Sequence, residues 1–167
     1  MIRLACIEDC SALPAIQRSG GEAFRVVGMA DVADNPVPEP AFFHPSVRGG
    51  TLWVAVDARD VPIGFANCWV VDEFLYVDEL SVDAAHQRKG IGRALMAAVK
   101  TRALEHRLSG VVLRTFRDIP WNGPFYASLG FTEDALPELE ALLARCIRAE
   151  QELGLDMARR CTMVQRF

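Results

Sequence analysis

The chain has 167 residues, 51% of them apolar, enough for one compact domain with its own core, yet no segment approaches the roughly 18 apolar residues of a membrane span. A net charge of -4 with interspersed signs excludes a broad basic field for nucleic acid and mildly favours cationic partners such as amines. The five cysteines (Cys6, Cys10, Cys68, Cys146, Cys161) are odd in number, far apart and without a C-x-x-C pair, which speaks against a disulfide framework and a zinc site.

The opening apolar run, Met1 to Cys6, is too short for a signal peptide and is soon interrupted by Glu8 and Asp9, so a cytoplasmic protein is expected. Ile2 to Ile7 reads as a strand, followed by a cap at Asp9 or Ser11 and a helix from about Leu13 to Val27, weakened by Gly20 and Gly21. Three prolines between Ala33 and Pro40 disfavour a long helix and predict a loop of the kind that often borders a site. Thr51 to Asp57, Pro62 to Val70 and Phe74 to Val82 are β-rich and read as an antiparallel meander. Ile91, Leu95, Val99 and Ala103 then recur every four residues, marking an amphipathic helix that ends near Ser109 and Gly110. Val111 to Phe116 is the next strand. Asp118 and Pro120 can start a short helix over Trp121 to Leu129, with Gly130 as its stop. Leu139 to Leu153 carries the apolar face of a long helix, and Cys161 to Phe167 closes the chain as a strand. The predicted fold class is mixed α/β, an α+β arrangement with a single, largely antiparallel central sheet flanked by helices, with residues 1–167 as one domain.

The stretch from Asp78 to Leu95 joins a strand, a basic glycine turn and a helix start, the layout of an anion cradle. It is not a P-loop, because Lys89 precedes both glycines and no Ser or Thr follows them. Nor is it the dinucleotide fingerprint, since Leu95 stands at the third glycine position and a meander precedes it. What it does satisfy is Q/R-x-x-G-x-G/A, through Gln87, Gly90 and Gly92. Further on, Phe125-Tyr126-Ala127-Ser128-Leu129-Gly130-Phe131 has the form Y-x-x-x-G-F. With these two motifs, and in the order of its elements, the chain resembles the GNAT superfamily of acyl-CoA N-acyltransferases.

The resemblance implies acetyl-CoA as co-substrate, no metal, and direct attack of a primary amine, from a small molecule or a peptide, on the thioester. It implies that the amides of Arg88, Lys89, Gly90, Ile91, Gly92 and Arg93 grip the pyrophosphate beside Gln87. It implies also that the backbone of Leu80, Ser81 and Val82 pairs with the pantetheine arm. Tyr126 would protonate the leaving thiolate, a role suited to a phenol with a pKa near 10. Glu79 is the matching general base, though strand alternation leaves Asp78 open for that role. Two departures from the family pattern stand out: Arg114 where some relatives carry a glutamate, and Ile119 where many carry an asparagine. Asn122, one helical turn before Tyr126, is the candidate to take over that contact, or it simply starts the helix. Asp31, Asp34, Glu39, Asp72 and Glu73 could attract the amine. The competing readings are a non-catalytic acyl-CoA sensor and an interaction protein whose long C-terminal helix and last strand could pair two copies into a homodimer. No nucleic-acid or membrane partner is expected.

Overall fold

The computed structural model describes residues 1–167. Its strands are β1 (Ile2–Leu4), β2 (Leu52–Val56), β3 (Pro62–Val71), β4 (Phe74–Val82), β5 (Gly110–Phe116), β6 (Thr132–Glu133) and β7 (Arg160–Arg166). They form one seven-stranded sheet in the order β1-β2-β3-β4-β5-β7-β6. The β1/β2, β2/β3, β5/β7 and β6/β7 pairs are antiparallel, and β4/β5 is parallel, with Phe74 to Val77 matched to Gly110 to Leu113. The helices are α1 (Leu13–Gly21), α2 (Ala23–Val26), α3 (Ala30–Ala33), α4 (His44–Arg48), α5 (Ile91–Glu105), α6 (Gly123–Ala127) and α7 (Glu140–Glu152). None is long and apolar enough to cross a membrane. The mixed α/β class is as predicted. Two compact units can be told apart, Met1–Trp69 with Asp78–Arg102, and Val70–Val77 with Ala103–Phe167.

In the first unit the alternation of β2 and the helical spacing of α1 meet in one core. Leu13 and Ile16 of α1 pack with Cys10, Phe43, Leu52, Val54, Val56 and Phe65, all buried. Burying each large apolar side chain contributes about 1.5–3 kcal/mol, so this cluster fixes α1 on one sheet face. Asp9 is buried but does not cap α1. Its carboxylate accepts two bonds from Arg3, at 2.7 and 3.0 Å, and the Cys6 amide at 2.8 Å, closing a 3-10 turn ahead of the helix. The single helix expected to Val27 is broken at Glu22, after the two glycines, into α1 and α2. The proline region is the expected loop: the chain carries no helix from Asp34 to Glu39, between α3 and a 3-10 turn that begins at Pro40 and leads into α4.

In the second unit, β7 lies between β5 and β6, with the two-residue β6 pairing only with Met163 and Val164. Leu139, just before α7, and Leu143 within it are buried, which uses part of that apolar side internally. The short helix is smaller than expected: Asn122 occupies the position before it, and Pro124, not Pro120, sits in its first turn. Asp118 is instead paired with Arg159 at 2.9 Å.

Candidate active site

The turn after β4 is held from several sides. Asp83 accepts the Ala85 amide at 3.0 Å and faces His86 Nδ1 at 3.2 Å, while Ser19 Oγ accepts the Ala84 amide at 3.0 Å. The Gln87 side chain donates to two carbonyls, Gly20 at 3.2 Å and Val82 at 3.1 Å, tying the turn to the end of α1 and the end of β4. Gln87 is therefore a brace of the turn. Gly20 allows this arrangement: a Cβ there would lie 2.9 Å from the Val82 carbonyl oxygen, so only glycine lets α1 approach the strand so closely.

Arg88 and Gly90 both have positive φ, 59° and 80°, and the Gly90 carbonyl accepts the Ala94 amide at 3.0 Å as α5 begins. Left-handed residues alternating in a turn aim consecutive N–H groups to one side and make a concave anion nest at a helix N-terminus. A Cβ on Gly90 would meet nothing within 4 Å, so the mouth of the nest is open. Arg88, Lys89 and Arg93 are exposed around it, with Lys89 Nζ donating to the Ala85 carbonyl at 2.9 Å. Ile91 is half-buried, its Cγ2 3.4 Å from where a Gly64 Cβ would stand, and Gly92 lies in the first turn of α5.

The β4 residues leading into this turn carry two consecutive carboxylates. Asn67 Nδ2 donates to Asp78 at 3.1 Å, while Gln17 Nε2 and Ser81 Oγ donate to Glu79 at 3.1 and 2.7 Å. Asn67 follows Phe65 by two positions in the regular part of β3, so it shares the face on which Phe65 packs against α1, the helix that carries Gln17. Both carboxylates thus find partners on one face, which an unbroken pleat does not permit for neighbours. Burial pushes the Asp78 carboxyl up to about 6, against the lowering effect of the Asn67 bond. Leu80 and Val82 are half-buried, and Ser81 is buried with its hydroxyl committed to Glu79.

In the second unit Tyr126 is buried on α6, edge-on to Phe125 at 5.1 Å and to Phe131 at 5.8 Å. Its carbonyl accepts the amides of Leu129 and Phe131, so the tyrosine and the phenylalanine of the motif are joined by the bond that ends the helix. Asn122 accepts a hydrogen bond from Thr115 Oγ1 at 2.9 Å, tying the start of α6 to β5. Arg114 stands in a buried ion cluster, bidentate to Glu150 at 2.8 and 2.9 Å, with Arg160 on the same carboxylate at 2.7 Å. All five thiols are free, and those of Cys6, Cys10, Cys68 and Cys161 are raised, Cys68 well above its ordinary value by full burial. A raised thiol is a poor nucleophile at neutral pH. Among the acidic loop residues, Asp34 is paired with Arg25, and Glu73 accepts the Ser109 hydroxyl at 3.1 Å.

A profile of the acetyltransferase (GNAT) domain matches residues 48–133, just over half of the chain. The chain belongs to the GNAT acetyltransferase family. Its fold is similar to the crystal structure of PaiA N-acetyltransferase from Thermoplasma acidophilum in complex with coenzyme A, at 14% identity and a TM-score of 0.72, covering 100% of this chain and 98% of that one. It is similar also to the ribosomal-protein-S18-alanine N-acetyltransferase from Escherichia coli (16% identity, TM-score 0.68, 99% and 92% covered). A third likeness is to N-acetylglutamate synthase from Neisseria gonorrhoeae complexed with coenzyme A and N-acetyl-glutamate (16%, TM-score 0.73, 99% of this chain and 34% of that one). At these identities the likeness is one of fold.

Three residues of this cluster on β4 lie outside the two motifs. Asn67 interrupts the apolar run Phe65-Ala66-Asn67-Cys68-Trp69, and Gln17 falls at a core-facing position of α1 with Leu13 and Ile16. Asp78 was visible only as an alternative to Glu79. A polar residue at an apolar position was the signal for the first two.

Proposed function

We propose that this GNAT enzyme, with residues 1–167 as a single domain, transfers an acetyl group from acetyl-CoA to a primary amine of a small molecule or a peptide by direct attack in a ternary complex. The nest from Arg88 to Arg93 carries the proposal: a braced turn with positive φ at Arg88 and Gly90, open at its mouth and set at the start of a fifteen-residue helix. Its amides and the basic side chains of Arg88, Lys89 and Arg93 suit a pyrophosphate. Two of the fold neighbours were solved with coenzyme A, which supports the same ligand here.

Acetyl-CoA supplies the activated thioester, and the backbone of Leu80, Ser81 and Val82 orients its pantetheine arm and polarises the carbonyl. Asp78 takes the proton that the ammonium releases, and Glu79, fixed by Gln17 and Ser81, holds the amine in place. Tyr126 gives a proton to the departing sulfur as the C–S bond breaks, and the second proton that the nitrogen loses once the C–N bond has formed restores the phenol. Asn122, whose Oδ1 accepts from Thr115, positions the start of α6 and offers its side-chain NH2 to the pantetheine. The raised thiols favour this direct route over a covalent acyl-enzyme. The fold neighbours named for protein alanine and for glutamate products support an amine acceptor without narrowing it further. A cytoplasmic location belongs to this reading. Coenzyme A release, followed with a thiol reagent over a panel of amines, is expected to require both substrates and to give intersecting initial-velocity lines. Tight coenzyme A binding with no release for any amine would favour the sensor instead.

Asp78 sets the acid limb of the rate. With its carboxyl raised to about 6, the base form is lost below that pH, and kcat/KM is expected to fall about tenfold per pH unit there. Asp78→Asn should flatten this limb, and an unchanged limb would assign it to another group. Stability runs the other way. The folded carboxyl binds its proton more tightly than the unfolded one, so its contribution to stability declines as pH rises from about 4 through about 6.

Gly90→Ala tests the nest. A side chain at φ 80° costs about 1–2 kcal/mol, and the turn should relax away from the conformation that aims its amides. Thermal unfolding is expected to show that loss and calorimetry a weaker acetyl-CoA affinity. Unchanged affinity in the destabilised variant would place the phosphates elsewhere.

A further inference from the structure

The two carboxylates of β4 are each held by a side-chain amide whose own oxygen is left over. Gln17 gives its Nε2 to Glu79, and Asn67 gives its Nδ2 to Asp78. The other ends, Gln17 Oε1 and Asn67 Oδ1, are buried and have no hydrogen-bond partner. Asn67 is 0% exposed. Its orientation is fixed, because turning the amide over would set its oxygen against the Asp78 carboxylate. A buried carbonyl oxygen without a donor is costly, and two of them stand beside two carboxylates that do have donors in Asn67, Gln17 and Ser81.

We propose that Gln17 and Asn67 recognise the acceptor substrate, their free carbonyl oxygens together with Asp78 and Glu79 forming a nest for a primary ammonium group. This rests on the acetyltransferase reading and adds to it the residues that select the acceptor. A primary ammonium presents three N–H donors around one charge, matching several acceptor oxygens, whereas a hydroxyl presents one and a carboxylate none. The ammonium enters charged, is held through its N–H groups by the amide oxygens and Glu79, and passes one proton to Asp78, leaving the nitrogen lone pair to form the C–N bond. Secondary and tertiary amines, with fewer N–H groups, bind less well.

The experiment compares wild-type enzyme with Gln17→Leu and Asn67→Leu in two assays. In steady-state kinetics each variant should raise KM for the primary amine by about 10- to 100-fold, the loss expected for a hydrogen bond to a charged group. The affinity for coenzyme A, measured by calorimetry, should stay within a few-fold. Gln17 is only half-buried on α1, so its variant is expected to fold even if Asn67→Leu does not. The second assay needs no turnover: ethylammonium chloride is titrated into the wild-type protein while the side-chain NH2 resonances of Gln17 and Asn67 are followed. Saturable shifts of both, absent with tetramethylammonium, support the nest. Unchanged KM in Gln17→Leu, or NH2 signals that do not move, would overturn it, the oxygens then being satisfied by water. Saturable shifts without any acetyl transfer would overturn the acetyltransferase reading and leave the ammonium nest standing.

Discussion

Tyr126→Phe is expected to lower kcat for acetyl transfer by about 10²- to 10⁴-fold, the usual contribution of a positioned general acid. The fold should survive, because phenylalanine keeps the ring that packs edge-on against Phe125 and Phe131. The backbone bonds that end α6 do not involve the hydroxyl. Acetyl-CoA affinity should therefore change little, and the loss should appear in kcat. A phenol is suited to this task, since with a pKa near 10 it stays protonated at neutral pH and can donate its proton in a hydrogen bond to the developing thiolate. Stopped-flow measurement of thiol release under saturating acetyl-CoA separates the chemical step from product departure. If Tyr126→Phe retains full kcat, Tyr126 is a core residue and another group protonates the sulfur.

Glu150→Ala is expected to destabilise the protein by about 3–5 kcal/mol, because it leaves two guanidinium groups buried around a missing carboxylate. Arg114 and Arg160 have side-chain exposures of only 6% and 11%, and both bond to Glu150. Arg114 also donates to Thr162 Oγ1 at 2.9 Å, and Arg160 lies over the Phe116 ring at 4.6 Å. For a chain of this length the expected loss corresponds to a fall in Tm of roughly 6–20 °C. The arginines hold the Glu150 carboxyl below its ordinary range despite burial, so its contribution is full at neutral pH and fades as pH falls through that lowered value. Replacing Arg114, Glu150 and Arg160 together with apolar residues should restore most of the stability, as no charge is then left unpaired. A Glu150→Ala loss below about 1 kcal/mol would mean that the cluster is solvated in solution. Arg114 thus anchors α7 to β5 and β7 through Glu150 in this protein.

The parts of the fold that local patterning controls were legible in the sequence. Phe74 to Val82 has the predicted bounds because a β-rich apolar run, a turn before it and a basic glycine turn after it all agree. The start of α5 followed from Gly90 and the four-residue recurrence of its apolar side. What could not be seen depends on distant partners or on a break in a local rule. The two-residue strand β6 has too little sequence to carry a pattern, and its pairing with Met163 and Val164 decides it. Glu150 reads as one more charge on a helix until β5 and β7 bring Arg114 and Arg160 to it. Alternation would send Asp78 and Glu79 to opposite faces, whereas the structure gives both carboxylates partners on the α1 face. The choice between them could therefore not be made from spacing.

Hydrogen exchange of the protein with and without saturating acetyl-CoA tests most directly that the turn after β4 is the donor cradle. The amides from Arg88 to Arg93, and those of Leu80 to Val82, are expected to slow markedly when acetyl-CoA binds, and Gly90→Ala should weaken that protection. Protection confined to other segments, with the Arg88 to Arg93 amides exchanging as fast as in the free protein, would contradict it.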